Sequence, residues 1–474
     1  MELVRICSFN HLFFVLLLFG TVSCGKKGQD SKDLPPTQAY PTNDVYEVRI
    51  REVGEDDWHS LITHSAKTQQ YVPAKMGNAA FVVFDRDFLK PVEIEISKID
   101  EEISDIRIRP SSKRINYVRQ GNTVKFTISK PEKLSVEFNG DILNNLMIFA
   151  NLPELDVPAE NDPNVIYFDR GIHDVGEIDI TDGQTLYLAE GAIVYGYVRA
   201  NGANNIAIRG RGILDGGKLN HDVSKKRERL VQFENCDNVE IEGVIMRDSP
   251  AWTTTLIGCD GVSIKNIKQI CYIVNSDGLD IVNSSNVLID NVFLRNHDDN
   301  ISLKVYDGTA TKNIVMRNSI LWADRAHNML VGPEARGGKF EDIRFENIDV
   351  LENAQNDEVY PGVMAVMVAD GGTYKDIEWK DIRVEDFTRG KLICIQYTDA
   401  FAEHGLGKKA HNIRFVNIDY VGSNASPSRI FGHDQEQNIE DVSFDNLVIN
   451  GKKALNKVDG NIEINAFTRN ISFQ

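Results

Sequence analysis

Positive charge is scarce in this sequence. Its 52 Lys and Arg are outnumbered by 70 Asp and Glu, for a formal net charge of −18 at pH 7. A field of that sign repels nucleic acid and anionic lipid headgroups, which are held through basic patches, so nucleic acid is excluded as a partner. Long apolar runs are equally scarce. The run at residues 12–19 falls short of the ~20 residues that a transmembrane helix requires, and no later run is long enough either. The 6 cysteines include no Cys-x-x-Cys pair, which removes the usual zinc spacings. Nothing in residues 45–158 carries the i, i+3, i+4 apolar stripe of a surface helix.

What is present is a chain of 474 residues, longer than the ~100–200 residues of one ordinary domain. Two domains, or one elongated repeat domain with an appendage, are expected. Residues 1–24 resemble a bacterial lipoprotein signal peptide. Arg5 supplies a positive charge, the 12–19 apolar run follows, and Thr21-Val22-Ser23-Cys24 is similar to a lipobox. The resemblance implies a protein of the cell envelope that meets the membrane only through a lipid anchor on Cys24, with plain secretion as the alternative. Residues 25–43 are polar and Pro-containing and read as a tether.

Residues 44–158 contain short β-type runs at 45–51, 79–84, 92–96, 106–108, 124–128 and 134–138. They predict a small β-sandwich, a packing or substrate-orienting module without a catalytic constellation. Residues 159–474 change character and repeat. Nine units align on Ile206, Val239, Val262, Val287, Ile314, Ile343, Ile377, Ile413 and Val442, each preceded by Asn, Asp or Gly. Aliphatic residues alternate inward along two or three short strands per unit, and Asn, Asp and Gly supply corners that need left-handed backbone. No unit can bury its apolar face alone, so the units must stack. The prediction is an all-β chain, a right-handed parallel β-helix preceded by a small β-sandwich. Cys236 and Cys259 lie three residues before Val239 and Val262. They should stack about one strand spacing apart, ~4.8 Å, as a disulfide or as two thiols.

The same register gathers acids. Asp277 lies between Val262 and Val287, and Asp298 and Asp299 lie between Val287 and Ile314, so the three share one outer face on consecutive rungs. Like charges brought together raise at least one pKa, as a general acid at neutral pH requires. His297 precedes the pair and Lys304 follows it. Asp280, Asp290 and Asp342 read as ordinary corner residues. Trp252, Trp322 and Tyr360 are the aromatics nearest by rung and are candidates to stack on sugar rings, and residues 353–361 read as a loop walling a cleft.

Four segments occur in the order of a known clan: Arg247 to Thr253 (Arg-Asp-Ser-Pro-Ala-Trp-Thr), Asn275 to Asp280 (Asn-Ser-Asp-Gly-Leu-Asp), His297 to Lys304 (His-Asp-Asp-Asn-Ile-Ser-Leu-Lys) and Ala326 to Gly332 (Ala-His-Asn-Met-Leu-Val-Gly). They resemble the pectin-lyase-like β-helix hydrolases of glycoside hydrolase families 28 and 49, the polygalacturonases and dextranases. The resemblance implies inverting hydrolysis of a polysaccharide or its oligosaccharides, with Asp298 as general acid and Asp277 and Asp299 activating water. It implies that Lys304 steadies the acids or binds a sugar hydroxyl, and that His327 corresponds to the histidine of a Gly-His-Gly motif. It implies no cofactor and no metal. The Arg-Ile-Lys element that holds a uronate in polygalacturonases has no counterpart, residues 363–368 being Val-Met-Ala-Val-Met-Val; Arg325, Arg336 and Lys339 could form a substitute basic site. A lyase on the same fold and a non-catalytic glycan-binding protein stay open as alternatives. The sugar, its linkage and the oligomeric state are left open.

Overall fold

The computed structural model describes residues 41–70, 74–355 and 361–474. The signal segment, Cys24, most of the tether and Tyr360 lie outside them. Residues 46–151 form two five-stranded sheets. One contains Tyr46–Glu52, Val92–Lys98 and Thr123–Ile128, and the other His64–Gln70, Lys75–Asp85, Glu132–Phe138 and Asp141–Asn151. Their inner faces share a core that includes Val48, Ile94, Phe126, Val82, Val136 and Ile148. The predicted runs all fall within or against these strands. Four strands are additional, His59–Ser60, His64–Gln70, Tyr117–Gln120 and Asp141–Asn151: His64–Gln70 carries few large apolar residues, and Asp141–Asn151 is buried along most of its length.

From Val165 to Phe473 the described chain winds as one 28-stranded parallel solenoid. The marker residues stack as expected. Ile206 pairs with Val239, then Val262, Val287, Ile314, Ile343, Ile377, Ile413 and Val442, and the column continues to Ile471. Ile208, Ile241, Ile264, Ile289 and Met316 follow two residues later, facing the same core. That inner column then turns aromatic. Phe345, Trp379, Phe415, Phe444 and Phe473 stack with centroids 5.5, 5.0, 5.0 and 4.7 Å apart.

The corners are left-handed and nearly all Asn or Asp. Asn205, Asn238, Asn286, Asn313, Asp342, Asp376, Asn412 and Asp441 have φ between 54° and 57°, and Gly261 fills the same place with φ 66°. Their side chains bond from rung to rung, as in Asn238 Nδ2 to Asn205 Oδ1 at 2.6 Å and Asn313 Nδ2 to Asn286 Oδ1 at 2.6 Å. Asp342 is a corner as predicted, but Asp280 and Asp290 do not have the left-handed backbone of a corner, and Asp290 pairs with Arg317 at 2.8 Å. Cys236 and Cys259 are free thiols, buried on adjacent rungs.

The sandwich is clamped to the solenoid. Ala66, Phe81, Met147 and Phe149 pack on Ile193, Ile245, Phe293 and Trp322. Arg109 reaches across to Glu385 at 3.1 Å while meeting Glu137 at 3.0 Å, and Lys268 donates to Asn151 at 2.8 Å.

Candidate active site

Two consecutive rungs carry the acids, Asp277 on one and Asp298 and Asp299 on the next. Thr253 N–H donates to the Asp277 carbonyl at 2.7 Å, Gly278 N–H to that of Asp299 at 2.7 Å, and Asn300 N–H to that of His327 at 2.9 Å. Residues far apart in sequence therefore become vertical neighbours. The Ser-Asp-Gly turn needs its glycine, because a Cβ on Gly278 would stand 2.5 Å from both Asn296 Nδ2 and the Asn300 carbonyl. Beneath the turns runs a buried amide ladder. Asn296 donates to Asn300 at 2.9 Å and Asn300 to Asn328 at 3.0 Å, while Gln269 bonds the Gly278 carbonyl at 3.1 Å. A buried amide network of this kind braces the turns above it.

One oxygen from each of Asp277, Asp298 and Asp299 lies within 4.8 Å of the others, at a cleft of about 540 Å³ also lined by Trp252, Lys304, Arg325, Glu334, Gln355 and Phe401. The three carboxyls are electrostatically different. Burial and the neighbouring Asp280 and Asp298 push Asp277 well above the usual carboxylate range. Burial and the charge of Asp299 also raise Asp298, against the pull of Arg325 at 3.9 Å. Burial would raise Asp299 too, but His327 outweighs it and holds the carboxyl below its ordinary value. His327 gives Asp299 Oδ1 both its backbone N–H, at 2.9 Å, and an Nδ1 contact at 2.7 Å.

The tautomer of His327 follows from its other side. Gly362 N–H can only donate, and it reaches Gln355 Oε1 at 2.6 Å. The amide nitrogen of Gln355 therefore faces His327 Nε2, 2.9 Å away, and donates to it. Nε2 accepts, so Nδ1 carries the proton that Asp299 receives.

Lys304 is enclosed by Asp280 at 2.8 Å, Glu334 at 3.1 Å and Asp277 at 3.7 Å, with the Trp252 ring centroid 3.7 Å from its Nζ. Burial alone would weaken its hold on the proton, but Asp280, Asp277 and Glu334 keep its pKa well above the usual value. The three carboxylates have the spacing to hold a cation, and the Lys304 ammonium already stands beside them.

The other candidates separate. Trp252 lines the cleft, but Arg229 and Lys304 lie over its ring at 4.1 and 3.7 Å. Trp322 is not a sugar platform. It is fully buried under the sandwich, between Arg109 and Arg295, with Nε1 bonded to Asp324 at 2.9 Å. His297 is also fully buried and does not line the cleft; burial and Arg325 lower its pKa to about 4, so it is a neutral ring. Arg336 stacks on Tyr306 at 4.6 Å and pairs with Glu403 at 2.7 Å, away from the acids. Lys339 opens the strand Lys339–Asn353 and does not line the cleft. Arg325 is the basic residue of the expected set that does. Sequence reasoning reached Gln355 only as part of the 353–361 wall and passed over Asp280, Glu334 and Phe401 as site residues. Only Asp280 left a signal, since alternation with Leu279 and Ile281 places it on the outer face beside Lys304.

A sequence profile of the glycosyl hydrolases family 28 matches residues 178–467. A probable exopolygalacturonase B from Aspergillus terreus is 26% identical over 244 residues, 46% of this chain and 54% of that protein. Exopolygalacturonase A from Aspergillus niger is 27% identical over 185 residues, 35% of this chain and 41% of that one. The chain thus spans about half the length of the curated relatives it matches. Among solved structures, Dex49A from Penicillium minioluteum superposes with a TM-score of 0.64 at 14% identity, covering 92% of this chain and 96% of that one. The family 28 exopolygalacturonase of Yersinia enterocolitica gives 0.53 at 13% identity, covering 80% and 96%. Both are similar in fold.

Proposed function

The chain belongs to the glycosyl hydrolases family 28, and from that premise we propose that it is a glycoside hydrolase cleaving a polysaccharide or its oligosaccharides at Asp277, Asp298 and Asp299. The observation that carries the reading is the opposed pair Asp298 and Asp299, one carboxyl raised and the other lowered, side by side at one cleft. Asp298, the most exposed of the three at 18%, keeps its proton and gives it to the leaving oxygen. Asp299 is ionised and takes a proton from water. Asp277, raised well above the usual carboxylate range by burial and the neighbouring Asp280 and Asp298, orients that water. Neither flanking acid suits direct attack on the sugar. Burial and its acidic neighbours raise Asp277, and Asp299 Oδ1 is engaged by two His327 donors. On this reading water is the nucleophile and the product has inverted configuration.

Replacing Asp298 by Asn is expected to lower kcat by roughly 10²–10⁴-fold, and near-normal turnover would overturn the assignment. The carboxyl oxygens lie closer than the ~6.5–9.5 Å usual for a facing inverting pair, so NMR of the first-formed product is the direct test of stereochemistry. Activity is expected to survive exhaustive chelation, because Lys304 supplies the positive charge among the acids. An ultraviolet-absorbing unsaturated product that required divalent cation would instead make the protein a lyase.

The relatives' names point to galacturonan, but the cleft favours an uncharged sugar beside the acids. Lys304 is held by three carboxylates and Arg325 faces Asp298. The strand Met364–Val368, where a uronate-binding element would fall, is fully buried and apolar. On oligosaccharides of equal length, α-glucan or galactan should be turned over faster than galacturonan; the reverse order would assign a uronate. A lipid anchor on Cys24 remains part of the proposal and is tested by mass spectrometry of the mature N-terminus.

A further inference from the structure

A second concavity lies at the far edge of the sheet whose strands lead into the acids. This groove has a volume of about 490 Å³, is lined from both the sandwich and the solenoid, and shares no lining residue with the cleft. Asn291 precedes the strand Phe293–Asn296 and lines the groove, whereas Asp298 follows that strand and lines the cleft. On the solenoid side stands a column of left-handed corners, Asn291, Asn318 and Asn347, on successive rungs. The groove is locally cationic. Lys113, Lys130, Lys133 and Arg383 outnumber its two carboxylates, Glu132 and Asp349, in a chain whose net charge is −18.

Strand alternation puts one of these cations in the interior. The strand Glu132–Phe138 turns Leu134, Val136 and Phe138 into the sandwich core, and so turns Lys133, Ser135 and Glu137 toward the solenoid. Glu137 meets Arg109 at 3.0 Å, and Ser135 bonds Asn145 and Glu137. Lys133 is 5% exposed and forms no ion pair with a described residue; its hydrogen bond goes to Asn291 Oδ1, a neutral acceptor 2.7 Å away. The carboxylates beside it are already engaged, Glu132 by Lys113 at 3.0 Å and Lys130 at 3.6 Å, and Asp349 by Arg383 at 2.6 Å. Because Asn291 accepts the ammonium on its oxygen, its amide nitrogen is the group that can still donate. Burial and the charge of Lys113 bring Lys133 down to about 7. Burying an ammonium without a counter-charge is costly, and an anion in the groove supplies that charge.

We propose that this groove binds the carboxylate of an acidic sugar, making it a holding site for a uronate-bearing glycan, separate from the cleft. Lys133 meets the carboxylate, and the amides and hydroxyl of Asn291, Asn347 and Ser112 offer partners to the sugar's own hydroxyls. That the anion is carried by a glycan rests on reading the cleft as a glycosidase site; that the groove takes an oxyanion does not.

Calorimetric titrations use the full chain carrying Asp298→Asn, so that nothing is cleaved, with trigalacturonate, its neutral counterpart galactotriose, and inorganic phosphate as probes. Lys133→Met removes the buried charge. Lys130→Glu reverses a charge at the rim, on a side chain 69% exposed, and decides the matter should the first variant not fold. Lys133→Met is expected to weaken the Kd for trigalacturonate about tenfold and Lys130→Glu about 3–5-fold, while neither changes the binding of galactotriose. With Asp298 intact, both variants should keep kcat and KM on a neutral trisaccharide, because the cleft is untouched. No binding of trigalacturonate, or equal affinity in the parent and Lys130→Glu, overturns the groove as a site. Phosphate bound as tightly as trigalacturonate, and lost with the same variants, makes it a site for free anions and overturns the glycan. Failure of the hydrolase reading registers separately, as no turnover of any sugar by the protein with Asp298 intact.

Discussion

A chain of three hydrogen bonds decides the charge of one carboxylate. Gly362 fixes the Gln355 amide, the amide fixes the His327 tautomer, and the ring donates to Asp299. The pH dependence follows with a definite sign. Asp299 is depressed, so as the proposed base it stays ionised until pH falls through its lowered pKa; Asp298 is raised, so as the proposed acid it keeps its proton until pH rises through its own. A bell-shaped profile of kcat/KM is expected, with one limb below and one above the usual aspartate value. Gln355→Leu frees the tautomer and should move the acid limb up by roughly one pH unit, which a pH–rate profile would detect; an unmoved limb would remove Gln355 from the argument. Stability should run opposite to activity at Asp298. Its folded pKa lies above the unfolded value, so ionising it costs stability at neutral pH, and Asp298→Asn removes that cost. The melting temperature is expected to rise by roughly 1–2 °C at pH 7 and to be unchanged near pH 3, where both states hold the proton.

The corner is the element that sets register. Asn313 has φ 54° and donates to Asn286 at 2.6 Å, so Asn313→Ala should cost about 1–2 kcal/mol in backbone strain alone. Asn313→Gly should cost less, since Gly261 occupies the equivalent corner; thermal shift of the two variants checks the order. These corners made the solenoid legible in sequence, because their chemistry recurs wherever the backbone must turn left-handed. Asp277, Asp298 and Asp299 were legible for the same reason, being placed by counting from the markers. Glu334 and Phe401 were not, since they come from connections that share no period, and Gln355 was reached only as one of the residues of the 353–361 wall. Asp280 was misread because corner and catalytic face use the same amino acid. Trp322 was misplaced because rung counting gives height along the axis but not which face the sandwich covers.

At the scale of the whole molecule, the sandwich and the solenoid share an apolar interface that a buried arginine, Arg109, also crosses. Arg109→Ala would leave Glu137 and Glu385 without that partner and should destabilise the protein by about 3–5 kcal/mol, seen in calorimetry as a lower transition shared by both parts. A chain lacking residues 44–158 would expose Ile193, Ile245, Phe293 and Trp322 together and is expected to aggregate. Register in the solenoid is independent of rung length. The markers stay paired although successive steps are 33, 23, 25, 27, 29, 34, 36 and 29 residues long. Connections can therefore lengthen, shorten or be exchanged while the acids keep their spacing, so that selection, or an engineer, can reshape the rim of this cleft by swapping cassettes and leave the three carboxylates where they stand.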